Sequence, residues 1–200
     1  MKIEHYKSLY DNEIKSWWYR VRRNLVSNII KRYTKRNNLD ILDVGCGTGA
    51  LMLELSHFGN VSGIDMAQTA IDFCKSRGIN DVKVGNALDI PYEDNSFDVV
   101  LALDVIEHIK EDELAMRELK RVLKPNGILI TFVPAFMILW GITDVISEHF
   151  TRYTKKDFKK KILSSGLDIV RISYFNFFLF IPILIVRKII LWFFIVLSPV

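Results

Sequence analysis

Two hundred residues, half of them hydrophobic and a quarter charged, suffice for one domain with a sizeable core and are too apolar for a disordered chain. The two cysteines, Cys46 and Cys74, sit in neither a C-x-x-C nor a metal-ligand spacing, which argues against a disulfide framework or zinc site; no metal is expected. The net charge of +4 is uneven: residues 1–36 carry +7, residues 37–150 carry −10 and residues 151–200 carry +7.

In chain order, the charged N-terminal stretch has no long apolar run and does not read as a signal peptide. Residues 13–36 read as a helix, with Val21, Leu25, Ile29 and Tyr33 at helical spacing. Trp17, Trp18 and Tyr19 form an aromatic cluster beside Arg20, Arg22 and Arg23. A short apolar strand follows near 39–44. It carries Asp43 near its tip and leads into Gly45, Cys46, Gly47, Thr48 and Gly49, with a helix starting at Ala50. Strand, glycine-rich turn and helix N-terminus make a nucleotide-binding device. The acid beside the turn repels a pyrophosphate and attracts a cation, which suits the sulfonium and ammonium of S-adenosylmethionine. Gly45-x-Gly47-x-x-Ala50 also satisfies the dinucleotide pattern G-x-G-x-x-G/A. Asp65, at the end of the next strand, would bind ribose hydroxyls with either cofactor, so the turn alone leaves both open.

Strands are expected near 61–65, 82–85, 97–103 and 127–133, and helices near 50–57, 67–77 and 111–123. Gly59, Gly78, Pro125, Asn126 and Gly127 separate them. Alternating strands and helices predict an α/β fold: a Rossmann-like, doubly wound, mostly parallel sheet with helices on both faces. Asp43, Asp65, Asn86, Leu103 and Asp104 fall at or just past strand carboxyl ends, where such sheets bind ligands.

The chain leaves this pattern at residues 134–153, an apolar connection placed to cover the crevice. Thr154 opens a basic helix that ends at Gly166, and the alternation over 167–175 predicts a sixth strand. Residues 174–200 are an apolar segment interrupted by Arg187 and Lys188. Neither half reaches the ~18 residues of a bilayer span. An interfacial segment fits better, with the two cations at headgroup level and Trp192 as an anchor. A buried helix or a dimer interface is the alternative. The end at Ser198-Pro199-Val200 reads as a truncation.

Asp43-x-Gly45-x-Gly47-x-Gly49 resembles the first motif of class I S-adenosylmethionine-dependent methyltransferases. The run from Val84 through Asn86, Ala87, Asp89, Pro91 and Phe97 to Val100 is similar to the next block of the type 11 methyltransferase family. Leu103-Asp104-Val105-Ile106-Glu107-His108-Ile109 and Glu118 to Gly127 match the block after that, so the likeness spans about residues 39 to 133. It implies an N-terminal cap over the cofactor pocket (1–38) and a cofactor-binding domain (39–173), while the apolar pattern marks 134–153 as a lid and 174–200 as a tail.

The resemblance also implies roles. Gly45, Gly47 and Gly49 let the backbone pass close to the methionine moiety, with the small Cys46 between them. Asp43 orients the amino group, Thr48 hydrogen-bonds the carboxylate and Asp65 accepts from both ribose hydroxyls. Met66 packs on the adenine, whose edge Asn86 and Ala87 hold, with Asp89 as an alternative. Leu103 and Asp104 sit where the methyl group lies.

On the acceptor side, His149, His108, Glu107 and Asp104 are candidate bases, with His149 and Asp104 favoured for catalysis. His108 shapes the acceptor site, and Trp140, Arg152 and Tyr153 are candidate acceptor contacts. The expected partner is a small-molecule or lipid-like acceptor at an anionic membrane surface, on the inner face of the cytoplasmic membrane. Nucleic acid is not expected, because Leu103-Asp104-Val105-Ile106 stands where base-amino methyltransferases carry an Asn/Asp-Pro-Pro-aromatic motif.

Overall fold

The computed structural model describes residues 3–186. Its elements in order are α1 (Ile3–Asn12), α2 (Trp17–Tyr33), β1 (Leu39–Val44), α3 (Ala50–Leu55), β2 (Gly59–Asp65), α4 (Gln68–Ser76), β3 (Val82–Val84), β4 (Phe97–Leu103), α5 (Asp112–Val122), β5 (Leu123–Phe132), α6 (Ile142–Ile146) and α7 (Lys155–Ser164). The five strands form one sheet in the order β3-β2-β1-β4-β5, every pair parallel.

Strand periodicity explains the layering. Leu39 and Ile41 of β1 and Val99 and Leu101 of β4 face one side, where they pack with Val26 and Ile30 of α2 and Leu55 of α3. Leu42, Val44, Val100 and Ala102 face the other side, against Ala115, Met116 and Leu119 of α5 and Phe158 of α7. Each buried Val, Leu, Ile or Met among them contributes about 2 kcal/mol of transfer free energy. Strand order reverses between β1 and β4, so the loops after these two strands flank one crevice at the carboxyl edge.

Three expectations need correction. The N-terminal segment holds two helices, not one over 13–36, and α2 buries Val26, Ser27 and Ile30 while Val21 is exposed. The expected Val21–Tyr33 stripe is one position off the buried face. The last strand begins at Leu123, earlier than 127, because Leu123 pairs with Phe97 across a register shift.

No sixth strand forms over 167–175 among the described residues. Phe175 stacks on Phe132 of β5 and on Trp18, and the Tyr174 hydroxyl accepts from the Lys155 amide. Side-chain contacts, not a ladder, bring this segment to the sheet edge. Helical backbone resumes at 180–186, and no described helix is long and apolar enough to cross a membrane. Arg187, Lys188, Trp192 and the chain end lie outside the described residues.

Candidate active site

The turn after β1 is built on positive backbone angles: φ is 74° at Gly45, 56° at Gly47 and 84° at Gly49. L-residues with a side chain avoid this region, which explains glycine at all three positions. A Cβ at Gly45 would also lie 2.4 Å from a Val105 methyl, so the turn packs directly on the segment that follows β4.

Asp65 folds back onto the turn. Its carboxylate accepts from the Gly47 amide at 3.0 Å and the Ala67 amide at 3.0 Å, and from the Tyr6 hydroxyl at 3.4 Å. Burial raises its pKa, and these hydrogen bonds oppose the rise. Asp43 is buried at 3% exposure, and burial, then the Asp65 and Glu13 charges, push its carboxyl up to about 7. A buried carboxylate in that state is a receptor for a cation.

The cap expected over 1–38 reaches the site through α1 and its end, by residues that the sequence analysis did not single out. Besides the Tyr6 contact, buried Glu13 accepts a hydrogen bond from the Thr48 hydroxyl and pairs with Arg77 at 2.8 Å. Arg77 lies over the Tyr10 ring. Tyr6 and Glu13 therefore engage two of the groups expected to hold cofactor, Asp65 and Thr48. No local motif marks either residue.

The other expected cofactor residues are placed as follows. Cys46 is buried with its sulfur 4.0 Å from that of Cys74. Met66 is 71% exposed beside Asp65, free to meet a flat ring. Ala87 is buried. Asn86 is exposed, and its Oδ1 already accepts from the Leu88 amide, which tightens the turn that also carries exposed Asp89. Leu103 is half-buried at the tip of β4, and Asp104 follows with φ 57° and an ion pair to Arg22.

A second cluster assembles beyond Asp104. Glu107 and His108 lie on a short 3-10 turn, and residues 134–153 fold over it, tied by the Phe150 amide to the Glu107 carbonyl at 2.7 Å. This brings His149 edge-on to His108, with ring centres 4.6 Å apart. Ligand atoms of Glu107, His108 and His149 lie within 4.8 Å of one another.

Glu107 is 1% exposed and its Oε2 has no hydrogen-bond partner. Burial, then the Asp104 charge, raise its pKa to about 8. His108 is pushed the other way by burial and by His149, so it favours the neutral form. His149 Nδ1 meets Asp144 Oδ1 at 2.9 Å, and fully buried Asp144 also accepts from Arg152 Nε at 2.7 Å and the Gly141 amide at 2.8 Å. Against the upward push of burial, these bonds hold Asp144 at about 2.

Two expected acceptor contacts are corrected. Arg152 is bound to Asp144 and to the Ala135 carbonyl at 3.1 Å, and it orients the loop. Tyr153 is buried in the core, where its hydroxyl donates to Asp112 at 2.8 Å. Trp140 lies half-buried after the turn at 137–139 and makes no ring contact with the histidines among the described residues.

The methyltransferase domain family, type 11, matches residues 42–131. The chain is 31% identical over 134 residues to a ubiquinone biosynthesis O-methyltransferase of Bartonella tribocorum, covering 62% of this chain and 54% of the relative. It is 34% identical over 110 residues to a demethylmenaquinone methyltransferase of Staphylococcus aureus, covering 51% and 46%. The chain thus spans about half the length of the curated relatives it matches. A solved Pyrococcus horikoshii structure, the PH0226 protein, is 31% identical, with a TM-score of 0.59 and coverage of 72% of both chains.

Proposed function

Because the chain belongs to the class I S-adenosylmethionine-dependent methyltransferases, we propose that it moves the sulfonium methyl of that cofactor to an amphiphilic acceptor at a membrane surface. The observation that carries the reading is the pairing of the Asp43–Asp65 carboxylates on a positive-φ glycine turn with a separate Glu-His-His cluster past β4, in which Glu107 is buried.

The cofactor is chemically activated, so the protein's task is positioning and exclusion of water. Asp65 would take the ribose hydroxyls and Asp43 the ammonium group. Thr48 would hold the carboxylate once Glu13 withdraws. Met66 and Ala87 would enclose the adenine. Asn86 would offer the edge its NH2 group, since its oxygen serves Leu88. The methyl group would lie beside Leu103 and Asp104, with His108 and His149 lining the acceptor's approach.

An amphiphilic acceptor is supported by apolar exposure on the acceptor side. Ile142, Val145, Ile146 and Phe150 of the lid are each more than half exposed, and Phe178 is 93% exposed. The basic flanks at 1–36 and 151–200 suit an anionic surface, which would make the chain peripheral on a cytoplasmic membrane face. The two relatives compared above carry quinone-pathway names, which agrees with a polyprenylated acceptor. A soluble small-molecule acceptor is the second reading.

The test is transfer of labelled methyl from S-adenosylmethionine to polyprenylated phenols and quinols in anionic vesicles, against their short-chain soluble analogues. Faster labelling of the vesicle-borne acceptors is expected. Equal rates on the soluble analogues would sink the membrane part of the proposal, and absence of label in any acceptor would sink the activity.

A further inference from the structure

We infer that Cys46 and Cys74 are a reversible oxidation site, closed to a disulfide by a hydroperoxide, and that closure loosens the cofactor turn. The two cysteines share no motif and stand 28 positions apart. The fold makes them neighbours. Their sulfurs are 4.0 Å apart, in a small buried cluster with Met52, Ile71 and Val82. They are the chain's only cysteines, so neither has another thiol within the chain to pair with.

A disulfide needs its sulfurs about 2.05 Å apart, so closure takes roughly 2 Å of approach. The two sides do not yield equally. Cys74 lies inside the helix α4, whereas Cys46 sits in the turn between Gly45 and Gly47. A Cβ at Gly63 would lie 3.1 Å from Cys46 Cβ, so Cys46 is packed on β2 and its sulfur travels together with the turn. Gly47 couples this movement to the cofactor residues. Its amide donates to Asp65 at 3.0 Å, and its carbonyl accepts from the Cys74 thiol at 3.4 Å. A disulfide has no S–H to give, so oxidation strips the Gly47 carbonyl of that bond while the pull on Cys46 draws the turn toward α4. Both changes disturb the Gly47–Asp65 contact, and with it the carboxylate that the proposed function gives to the ribose.

The contact with Cys74 and burial both hold the Cys46 thiol protonated, so the pair reacts slowly and answers sustained peroxide. Cys46 is the less buried of the two, at 7% exposure against 0%. Its thiolate attacks a peroxide oxygen: an S–O bond forms, the O–O bond breaks and hydroxide leaves. The Cys74 sulfur then attacks the sulfenic sulfur, forming the S–S bond as the S–O bond breaks and water leaves. The thiols give up two electrons and two protons, and one hydrogen peroxide becomes two waters. A dithiol reverses the change by thiol–disulfide exchange. The disulfide stands apart from the methyltransferase reading; its effect on S-adenosylmethionine rests on that reading.

The experiment treats the full chain with hydrogen peroxide and follows free thiols and linked peptides by mass spectrometry, on the parent and on Cys74→Ser. S-adenosylmethionine affinity is measured by calorimetry before oxidation, after it, and after dithiothreitol. In the parent both thiols should disappear together into one linked Cys46–Cys74 peptide pair. The oxidised parent should bind S-adenosylmethionine about tenfold more weakly, the value of one hydrogen bond and its neighbour's distortion, and dithiothreitol should restore the affinity. That recovery separates the disulfide from methionine oxidation, which dithiothreitol leaves in place. Cys74→Ser keeps a hydroxyl for the Gly47 carbonyl and should hold its affinity through the same peroxide treatment. Saturating S-adenosylmethionine should slow disulfide formation in the parent, as reciprocal coupling requires. Thiols that persist, or that each gain oxygen without linking, overturn the proposal. A linked pair with unchanged cofactor affinity overturns the coupling to the turn, as does an equal, irreversible loss in Cys74→Ser. A linked pair in a reduced chain that never bound S-adenosylmethionine sustains the oxidation site and removes the methyltransferase reading.

Discussion

In the cofactor half of the crevice, each strand delivers its functional group within a few residues of its own tip. Asp43 and the three glycines end β1, Asp65 ends β2, and Asn86 and Ala87 follow β3. In the acceptor half, Glu107 and His108 follow β4, but His149, Asp144 and Arg152 arrive from a loop beyond β5. The first half is held by backbone geometry and the sheet. The second is held by hydrogen bonds within and onto a loop, chief among them the Arg152–Asp144–His149 chain and the Phe150–Glu107 backbone bond, so its order should be the more fragile.

The largest effect should come from breaking that chain. Asp144→Asn leaves the Arg152 guanidinium without its buried partner and should cost about 3 kcal/mol of stability. If the loop is an independent unit, hydrogen exchange over 134–153 will rise while S-adenosylmethionine affinity holds. A uniform rise across β1 and β2 would erase the distinction between the halves.

Next is Asp43→Asn. A folded-state pKa near 7 lies above the unfolded value of 3.8, so the folded chain holds the proton more tightly. This carboxyl's contribution is therefore complete at low pH and is lost as pH rises from about 4 to about 7. Replacing it should stabilise the unliganded chain at pH 8, seen by urea unfolding. The same carboxylate must be ionised to hold an ammonium group, so parent affinity for S-adenosylmethionine should weaken roughly tenfold from pH 8 to pH 6. That slope should vanish in Asp43→Asn.

The smallest effect concerns the cap. The Tyr6 hydroxyl donates to an Asp65 oxygen that the proposed function gives to the ribose. Tyr6→Phe should tighten S-adenosylmethionine binding about two- to fivefold, the value of one hydrogen bond. Weaker binding would mean that Tyr6 supports the cofactor and does not compete with it.

The same contrast decides what could be read in advance. The strand–turn–helix around Gly45 and the acid at Asp65 are local patterns, and they stand where periodicity puts them. Strand β4 falls on its expected residues, 97–103. The sixth strand failed because alternation over 167–175 reports side-chain pattern and not whether a sheet edge is offered; Phe175 instead stacks on Phe132. Arg152 and Tyr153 looked like acceptor contacts because they are polar residues in an apolar loop. Their partners, Asp144, Ala135 and Asp112, belong to the loop and to the first turn of α5. Tyr6 and Glu13 carry no motif, and only the placement of α1 against the glycine turn reveals them.

The central claim is that the Asp43–Asp65 turn is built for S-adenosylmethionine. Calorimetry of the full chain with S-adenosylmethionine and with NADH, using Asp65→Ala as control, tests it most directly. The account predicts micromolar binding of S-adenosylmethionine, weakened about a hundredfold in the variant, since two charge-assisted hydrogen bonds are lost, and no binding of NADH. Binding of NADH in place of S-adenosylmethionine, or S-adenosylmethionine binding that Asp65→Ala leaves intact, would contradict it.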